Sequence, residues 1–533
     1  MFCYQCEQAR ENSGCEITGV CGKPAEVGEL HDVLFHVTRE LSVLVLRLPQ
    51  ANRAAYHAFI EDALFATVSN VNFDADLVEA MIHRGQAMIA EISGPGNSPM
   101  PGMGRTARVD LLGIARVIAI PQRVTRLGTD LVGLQEMLAY GVKGLAAIVR
   151  QARSLGHVSE QIGDYLVEAM AYLARPQPDA EELLALCLRC GEVAVAAMGL
   201  LDGANTEHFG HPEPSEVRMG VRQGKAILVS GHELDDLERI LLATAGTGIN
   251  VYTHGEMMAA HGYPGLKRHA HLAGHHGGAW HDQHKVFAVF PGAIVMTGSC
   301  LMPPRKAYRE RLFTVGAMAY PDIRHASRDD LSPVLECALA QPGFAADVVK
   351  QSNLVGFGHR STIGAAEILV DAVRQGDIRR FVLIGGCDGP TSGRDYYSRL
   401  AASLPQDWAV LTLGCGKFRV HGHVGGSING LPRLLDIGQC SDSFSAIKIC
   451  QALSAGLGVG LNELPLSLVL SWHEQKAVTI VLALLHLGLR NIRVGPRMPA
   501  FVSPAMLNIL VERFGLIPIG DVGQDIQAMA MSA

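Results

Sequence analysis

Charged side chains are scarce in this sequence. They make up 18% of its 533 residues, against roughly 25% in an average globular domain, so much of the chain is expected to be buried. The 45 basic and 52 acidic residues leave a net charge of −7, without the basic excess of a nucleic-acid clamp. Hydrophobic residues make up 48%, which excludes disorder as the main state. We therefore expect a folded protein with no nucleic-acid partner.

The sequence also lacks a secretion signal and long apolar runs. Residues 1–7 contain neither a basic nor an apolar segment, so neither Sec nor twin-arginine export is indicated. The strongest apolar run near the C-terminus, residues 477–485, is far shorter than the roughly 20 residues that cross a bilayer. A cytoplasmic protein without a membrane partner is expected. In that reducing compartment, the 12 cysteines are expected to be metal ligands, catalytic groups or core thiols rather than disulfides.

Two kinds of periodicity divide the chain. From residue 26 to about residue 201, apolar residues recur at helical spacing, as in residues 75–92 and 180–201, and a Pro/Gly-rich loop at 94–102 interrupts them. Beyond a proline-containing connection at 205–220, short apolar strands alternate with helices, as in parallel sheets with crossover helices. Strands are predicted at residues 225–230, 248–253, 293–297, 380–384, 408–413, 466–471 and 491–494.

This pattern predicts a multidomain protein. An all-α helical-bundle N-terminal domain would be followed by two Rossmann-like α/β domains with mainly parallel sheets, because the C-terminal part is too long for one such sheet. We place the predicted domains at residues 1–220, 221–354 and 355–533.

Potential metal ligands follow the predicted strands. Ligands of open α/β sheets bind beyond the carboxyl ends of the strands, where this sequence has His232, Glu256, Cys300, Cys387, Cys415 and Glu474, with Cys440 in a further glycine-containing loop. One cysteine after a strand is usually a small core residue, but the repeated position indicates a metal site. A mixture of thiolate, imidazole and carboxylate ligands argues against a closed four-ligand zinc site and suits iron.

Four more cysteines, Cys3, Cys6, Cys15 and Cys21, fall within 19 residues near the N-terminus. Four thiolates suit an iron–sulfur cubane or a structural zinc, and only the first pair has the Cys-x2-Cys spacing of a zinc-ribbon knuckle. The iron–sulfur interpretation is favoured, although spacing leaves the metal open. The remaining thiols are expected to be core or surface residues: Cys187, Cys190, Cys337 and Cys450.

Eight histidines fall between His254 and His284. They could relay protons or bind adventitious metal. Except for His254, which lies two residues before Glu256, the preferred interpretation is a mobile polar loop with solvent-facing imidazoles.

Several motifs together resemble the hybrid cluster protein family, also called hydroxylamine reductases. They are FCYQCEQ at residues 2–8 with Cys15 and Cys21, YTHGEM at 252–257, GCDGP at 386–390, LGCGK at 413–417 and SWHEQK at 471–476. The resemblance extends from the first residues nearly to the last. It implies a helical domain followed by two Rossmann-like domains, in agreement with the periodicity.

The resemblance implies two iron–sulfur clusters. The compact spacing of Cys3, Cys6, Cys15 and Cys21 is similar to that of members with a [4Fe-4S] cluster, with [2Fe-2S] as the alternative. The second is a hybrid [4Fe-2S-2O] iron-sulfur-oxygen cluster. Cys387 matches the cysteine that can carry an extra sulfur atom, as a persulfide, in the family. Its implied ligands are His232, Glu256, Cys300, Cys387, Cys415, Cys440 and Glu474.

The activity that the resemblance implies is reduction of hydroxylamine to ammonia and water, or of nitric oxide to nitrous oxide. His232, Glu256 and Glu474 would hold an iron with an exchangeable position. Lys476 would donate a proton or stabilise charge, unless it is an ordinary helix N-terminal side chain reaching solvent. Electrons would come from a separate reductase through the N-terminal cluster.

Three alternatives stay open. A nickel-iron carbon monoxide dehydrogenase relative would contain stoichiometric nickel. A nitric oxide sensor, or a protein that nitrosylates its partners, would bind clusters without multiple turnover. A zinc-stabilised scaffold would contain no iron.

Overall fold

The computed structural model describes residues 1–94 and 106–531. Its first eight α-helices are α1 (Ala25–Leu46), α2 (Ala54–Ala66), α3 (Ala75–Ser93), α4 (Arg108–Ile118), α5 (Ile120–Leu127), α6 (Thr129–Ser154), α7 (Glu160–Leu173) and α8 (Ala180–Phe209). Asp74 and Asp179 cap α3 and α8, each accepting hydrogen bonds from two backbone N–H groups of the first turn. Both helices begin where the apolar periodicity predicts. The predicted loop at 94–102 lies, from residue 95 onward, outside the described residues.

The first sheet follows these helices. The elements of this part are β1 (Ser215–Val217), β2 (Ala226–Ser230), α9 (Leu234–Thr244), β3 (Asn250–His254), α10 (Pro264–Lys267), β4 (Leu272–His275), α11 (Gln283–Val289), β5 (Ala293–Met296), β6 (Leu312–Thr314), β7 (Arg324–His325), α12 (Ser332–Ala340) and β8 (Asn353–Val355). Six strands form one parallel sheet in the order β4-β3-β2-β5-β6-β7. Strands β1 and β8 form a separate antiparallel pair, which joins the two ends of this part of the chain.

The second sheet occupies the rest of the chain. Its elements are α13 (His359–Gly364), α14 (Ala366–Gln375), β9 (Arg380–Gly386), α15 (Asp395–Ser403), β10 (Trp408–Leu413), β11 (Ser427–Ile428), β12 (Leu431–Pro432), β13 (Leu434–Gly438), α16 (Ser443–Leu457), β14 (Leu466–Ser471), α17 (Gln475–His486), β15 (Ile492–Gly495), α18 (Pro504–Phe514), β16 (Leu516–Pro518) and α19 (Val522–Met531). Six strands again form a parallel sheet, in the order β13-β10-β9-β14-β15-β16.

Both sheets have the strand order 3-2-1-4-5-6 of a doubly wound fold. The order reverses between β2 and β5 in the first sheet and between β9 and β14 in the second. Ligands of such sheets bind at this switch point, beyond the carboxyl ends of the strands. The prediction of two α/β units with parallel sheets is confirmed. All seven predicted strands are present, with ends shifted by at most two residues.

Helix α17 packs against the helical part of the chain. It contacts α6 and α8, and the Thr479 hydroxyl donates to the Gly141 carbonyl over 2.8 Å. A Cβ atom at Gly144 would lie 2.2 Å from the Thr479 hydroxyl, and one at Gly191 would lie 2.1 Å from the Leu482 carbonyl oxygen. The glycines therefore allow a close approach that fixes the start of α17, immediately after Glu474.

Helices α6 and α8 are long and apolar enough to cross a membrane by length and composition alone. In α6, 94% of the most apolar window is buried inside the protein, whereas in α8 the share is 39%. Both helices pack against each other and against α17. Packing in the protein core accounts for the apolar character of α6.

Candidate functional site

Three predicted ligands lie at the carboxyl edge of the first sheet. His232 follows β2, Glu256 follows β3 and Cys300 lies in the loop after β5. Gly231 makes the turn after β2 with φ +127°, and a Cβ atom there would lie 1.7 Å from the Thr297 carbonyl oxygen. Only glycine fits between these neighbouring strands, so this turn directs His232 to the switch point.

The second sheet brings four predicted ligands to its own carboxyl edge. Strands β9, β10, β13 and β14 are followed in turn by Cys387, Cys415, Cys440 and Glu474. Glycine again lies at the switch point. Gly386 has φ +101°, and a Cβ atom there would lie 2.1 Å from the Ser471 carbonyl oxygen. A glycine that allows the neighbouring strand to approach closely therefore lies at the switch point of each sheet.

The two edges meet at His232, Glu256 and Cys440. One potential ligand atom from each of these residues lies within 4.8 Å of the other two. The Nε2 atom of His232 is 3.5 Å from Oε2 of Glu256, and the Cys440 backbone N–H donates to that oxygen over 2.8 Å. All three residues are buried. Cys440, 184 positions beyond Glu256, thus completes a donor set suited to a metal.

Lys476 is buried beside Glu474. Its Nζ atom is 3.8 Å from Oε1 of Glu474, and its backbone N–H donates to Oε2 over 3.1 Å. Burial alone would lower the pKa of Lys476, but the negative charges of Cys440, Glu474 and Glu256 raise it well above its ordinary value. Because the Lys476 side chain is only 5% exposed, the alternative of a lysine reaching solvent is wrong.

The other thiols of the strand ends share this electrostatic environment. Burial raises the pKa of Cys300 to about 12, opposed by the positive charge of Lys476. Burial also raises the pKa of Cys387 and Cys415, and the charges of Glu256 and Cys300 add to the effect. All seven predicted residues thus lie close enough for their charges to interact. Such a concentration of acidic groups around one ammonium fits a cationic metal–sulfur group, which would stabilise the thiolate forms.

The four N-terminal cysteines also lie together. Cys3 and Cys15 exchange two backbone hydrogen bonds, of 3.0 and 2.8 Å. Burial raises the pKa of Cys6, and the charges of Cys21, Cys3 and Cys15 also raise it. All twelve cysteines, each within the described ranges, are free thiols. This donor set fits a metal–sulfur cluster better than a disulfide pair.

A buried lysine accompanies these thiols too. Lys23 is buried, and its Nζ atom lies 2.9 Å from Nδ1 of His31. Burial lowers the pKa of Lys23, while the charges of Cys21, Cys3 and Cys6 oppose that shift. Lys23 was not predicted to belong to this site, although it follows Cys21 by only two residues.

The histidine-rich segment differs from the prediction. None of its eight histidines, all within the described part of the chain, is solvent-exposed, and His254, His261 and His275 are buried. Strand β4 accounts for the difference, because it includes His275 and pairs with β3. The Thr253 hydroxyl lies 2.9 Å from Nε2 of His261 and 3.0 Å from Nδ1 of His275. The interpretation of this segment as a polar loop with solvent-facing imidazoles is wrong.

Two buried ion pairs near the candidate site were not identified from sequence. Lys417 and Asp436 are fully buried, with Nζ 2.5 Å from Oδ1, and Nε2 of His421 lies 2.9 Å from Oδ2. Arg394 forms a second buried pair with Glu7. The partners are distant in sequence, so no local pattern marks them.

An apolar cavity of about 60 Å³ borders the site. Its lining includes the thiols of Cys387, Cys440 and Cys450 together with Trp472. The surroundings of Cys387 and Cys440 are thus apolar on this side.

Cys187 and Cys190 were expected to be core or surface thiols. Both are buried in the helical core.

Comparison with known proteins gives the relationship of the whole chain. The sequence profile of the Prismane/CO dehydrogenase family matches residues 1–527. A hydroxylamine reductase of Rhodospirillum rubrum is 51% identical, with 100% of both chains covered, and one of Zymomonas mobilis is 46% identical, with 98% of both covered. Among solved structures, carbon monoxide dehydrogenase IV from Carboxydothermus hydrogenoformans has a TM-score of 0.59 at 16% identity, covering 99% of this chain and 92% of that one. This structural similarity concerns the fold alone. The profile match over residues 1–527 and the relatives at 51% and 46% identity show that the chain belongs to the Prismane/CO dehydrogenase family.

Proposed function

We propose that this protein is an iron–sulfur oxidoreductase that reduces hydroxylamine to ammonia and water, nitric oxide to nitrous oxide, or both. The main support is the set of thiols, carboxylates and imidazole at the carboxyl edges of both sheets, all buried except the half-buried Cys300. Relatives named hydroxylamine reductases, up to 51% identical over the full chain, agree with it. Hydroxylamine reduction takes up two electrons and two protons.

The proposed cofactors are two iron–sulfur clusters. Cys3, Cys6, Cys15 and Cys21 would hold a [4Fe-4S] cluster, with [2Fe-2S] as the alternative. A hybrid [4Fe-2S-2O] cluster would be held by His232, Glu256, Cys300, Cys387, Cys415, Cys440 and Glu474, with Cys387 as the candidate persulfide. Bound iron with an exchangeable position would supply electrons and Lewis acidity to the N–O group.

The chain's own residues supply protons and exclude water. Lys476 is the proposed local proton donor or charge stabiliser, because its buried Nζ atom lies 3.8 Å from Glu474 Oε1. The negative charges around it hold its pKa well above the ordinary value, which favours charge stabilisation, because a general acid works best with a pKa near the working pH. Glu256 and Glu474 offer oxygen ligands beside soft thiolates, so one part of the site can exchange a ligand while the other stays saturated. Burial of all these groups strengthens their electrostatic interactions.

The remaining parts of the proposal concern organisation. The domains are placed at residues 1–220, 221–354 and 355–533, and the two latter domains close around the hybrid site. A separate reductase would deliver electrons at the N-terminal cluster. We propose a cytoplasmic location, without a nucleic-acid or membrane partner.

Anaerobic purification followed by iron analysis and electron paramagnetic resonance (EPR) tests this proposal. Two four-iron clusters predict about eight iron atoms per chain, and turnover of hydroxylamine or nitric oxide is expected with an artificial electron donor. Glu474→Gln should remove the signal of the strand-end site and leave the N-terminal signal. An iron-free protein, or an iron-loaded protein without turnover of either substrate, would contradict the proposal.

Two alternatives have distinct outcomes in the same experiment. Stoichiometric nickel would indicate carbon monoxide dehydrogenase chemistry, for which the shared fold is the supporting observation. Intact clusters with negligible multiple turnover would instead indicate a nitric oxide sensor or a protein that nitrosylates its partners.

A further inference from the structure

Arg394 is fully buried between the two candidate metal centres. Its side chain is 1% exposed and pairs with the carboxylate of Glu7, which is fully buried. Glu7 directly follows Cys6. The same guanidinium donates to the carbonyls of Cys387 and Trp472, over 3.0 and 2.6 Å. One side chain thus contacts segments that carry proposed ligands of both clusters.

Backbone contacts join the same two segments. The Glu7 N–H donates to the His473 carbonyl over 2.9 Å. The Gln475 side-chain amide donates to the Gln5 carbonyl over 2.8 Å. The residues on either side of Cys6 are therefore bonded to those on either side of Glu474. A single hydrogen bond separates the peptide that follows Cys6 from the peptide that precedes Glu474.

The negative charge of Glu7 lies beside Cys6, and the positive charge of Arg394 lies at the Cys387 carbonyl. Glu7 forms a buried ion pair with Arg394, and Nδ1 of His473 lies 3.7 Å from the same carboxylate, so this carboxylate is ionised. A negative charge beside Cys6 makes an added electron less stable there. A positive charge at the Cys387 carbonyl makes an added electron more stable on that side. A buried pair is costly to desolvate and adds little stability over apolar packing, so stability alone does not explain its presence.

We propose that the Gln5–Glu7 and His473–Gln475 contact is the electron route between the two clusters, with Arg394 and Glu7 as positioning residues that bias transfer toward the strand-end site. This inference rests on the proposed function, because both sites must hold clusters. In each step one electron leaves the N-terminal cluster, which is oxidised, and reduces the strand-end cluster. Two such steps, with two protons, reduce one hydroxylamine, and an external one-electron reductant restores the first cluster.

The test compares Glu7→Gln with the unaltered full-length protein, both carrying clusters. Glutamine keeps the shape and removes the charge, and Arg394 retains Asp388, whose Oδ1 atom lies 3.6 Å from Nη1. EPR-monitored redox titration would give the potential of each cluster and the distribution of one added electron. Asp525→Asn is the matched control, because Asp525 also pairs with a buried arginine, Arg493.

In Glu7→Gln, the potential of the N-terminal cluster should rise. The distribution of one added electron should move measurably toward that cluster, because the lost unit charge, worth about tenfold at about 10 Å and an effective ε of about 20, acts more strongly on the nearer N-terminal cluster than on the strand-end cluster. Glu7→Asp should restore most of the original distribution, because it restores the charge. A distribution in Glu7→Gln no different from that in Asp525→Asn would overturn the inference.

Two further results keep the test decisive. If Glu7→Gln does not retain both clusters, Arg394→Lys is measured instead. It keeps the positive charge and loses the guanidinium fork that reaches Glu7 and the Cys387 and Trp472 carbonyls together. Slower electron transfer between the clusters at unchanged potentials would then support the route through this contact. An unchanged transfer rate would refute that route. Absence of either EPR signal in the unaltered protein would count against the proposed function rather than against this route.

Discussion

The Lys417–Asp436 pair allows a quantitative test of how the candidate site is held in shape. Lys417 follows Cys415 by two residues, and Asp436 lies in β13, which leads to Cys440. Both side chains are fully buried, with Nζ 2.5 Å from Oδ1. Lys417→Met preserves the length of the side chain and leaves the Asp436 carboxylate with the His421 imidazole, 2.9 Å from Oδ2, as its remaining partner.

The expected cost follows from burial. Removing one partner of a buried ion pair typically costs about 3–5 kcal/mol, because the other charge stays desolvated. An exposed pair is worth about 0–1 kcal/mol, and Arg399 with Asp395 is such a pair, with both side chains more than half exposed. If residues 355–533 unfold as one unit, a 3–5 kcal/mol loss lowers its melting temperature by about 6–20 °C.

Calorimetry on protein with matched iron content measures this difference. Lys417→Met should show the large shift and Arg399→Met a small one. The double variant Lys417→Met/Asp436→Leu should recover most of the loss, because replacing a whole buried pair by apolar groups is often nearly neutral. A shift in Lys417→Met no larger than in Arg399→Met would refute the reasoning.

Three further predictions test other parts of the structure. Gly231→Ala should cost the strand-end site its iron and spare the N-terminal site, because the new Cβ would lie 1.7 Å from the Thr297 carbonyl oxygen; full iron content would contradict this. Cys21→Ser should lower the iron content by about half, and an unchanged content would remove Cys21 from the proposed ligands. Burial raises the pKa of Asp32 to about 7, so the folded state binds more protons than the unfolded state between about pH 4 and 7 and stability falls as pH rises through that window. Asp32→Asn should flatten this dependence in unfolding measured at pH 5 and 8; an equal slope in both proteins would contradict it.

Periodicity predicted the parts of the fold that depend on local pattern. Long amphipathic helices and the fully apolar central strands were identified because each buries a continuous face. Strand β4 was not predicted, because Gly274 and His275 are not typical strand residues, and its formation depends on pairing with β3. In β13, Asp436 is tolerated because Lys417 neutralises it. Tertiary partners decide such strands, and local sequence does not show those partners.

The candidate site was predictable because a topological rule connects distant positions. Carboxyl ends of parallel strands share an edge, so residues that follow strands, such as His232 and Glu256, could be grouped before any distance was known. No comparable rule predicted Arg394 opposite Glu7, a contact across 387 positions. Ion pairs between loops depend on how the domains dock, which apolar periodicity does not specify.

The two sheets are built alike but offer different candidate ligands. The first and second strands of the first sheet lead to an imidazole and a carboxylate, whereas the corresponding strands of the second sheet lead to thiols. The fourth strand of each sheet reverses this preference, with Cys300 from the first and Glu474 from the second. Each sheet therefore offers at least one thiolate and one carboxylate, so soft and hard ligands come from both sides of the interface. A displacement of one sheet against the other would disturb both kinds of ligand together. Arg394, buried between Glu7 and the loops of the second sheet, holds the N-terminal segment and that sheet in one arrangement.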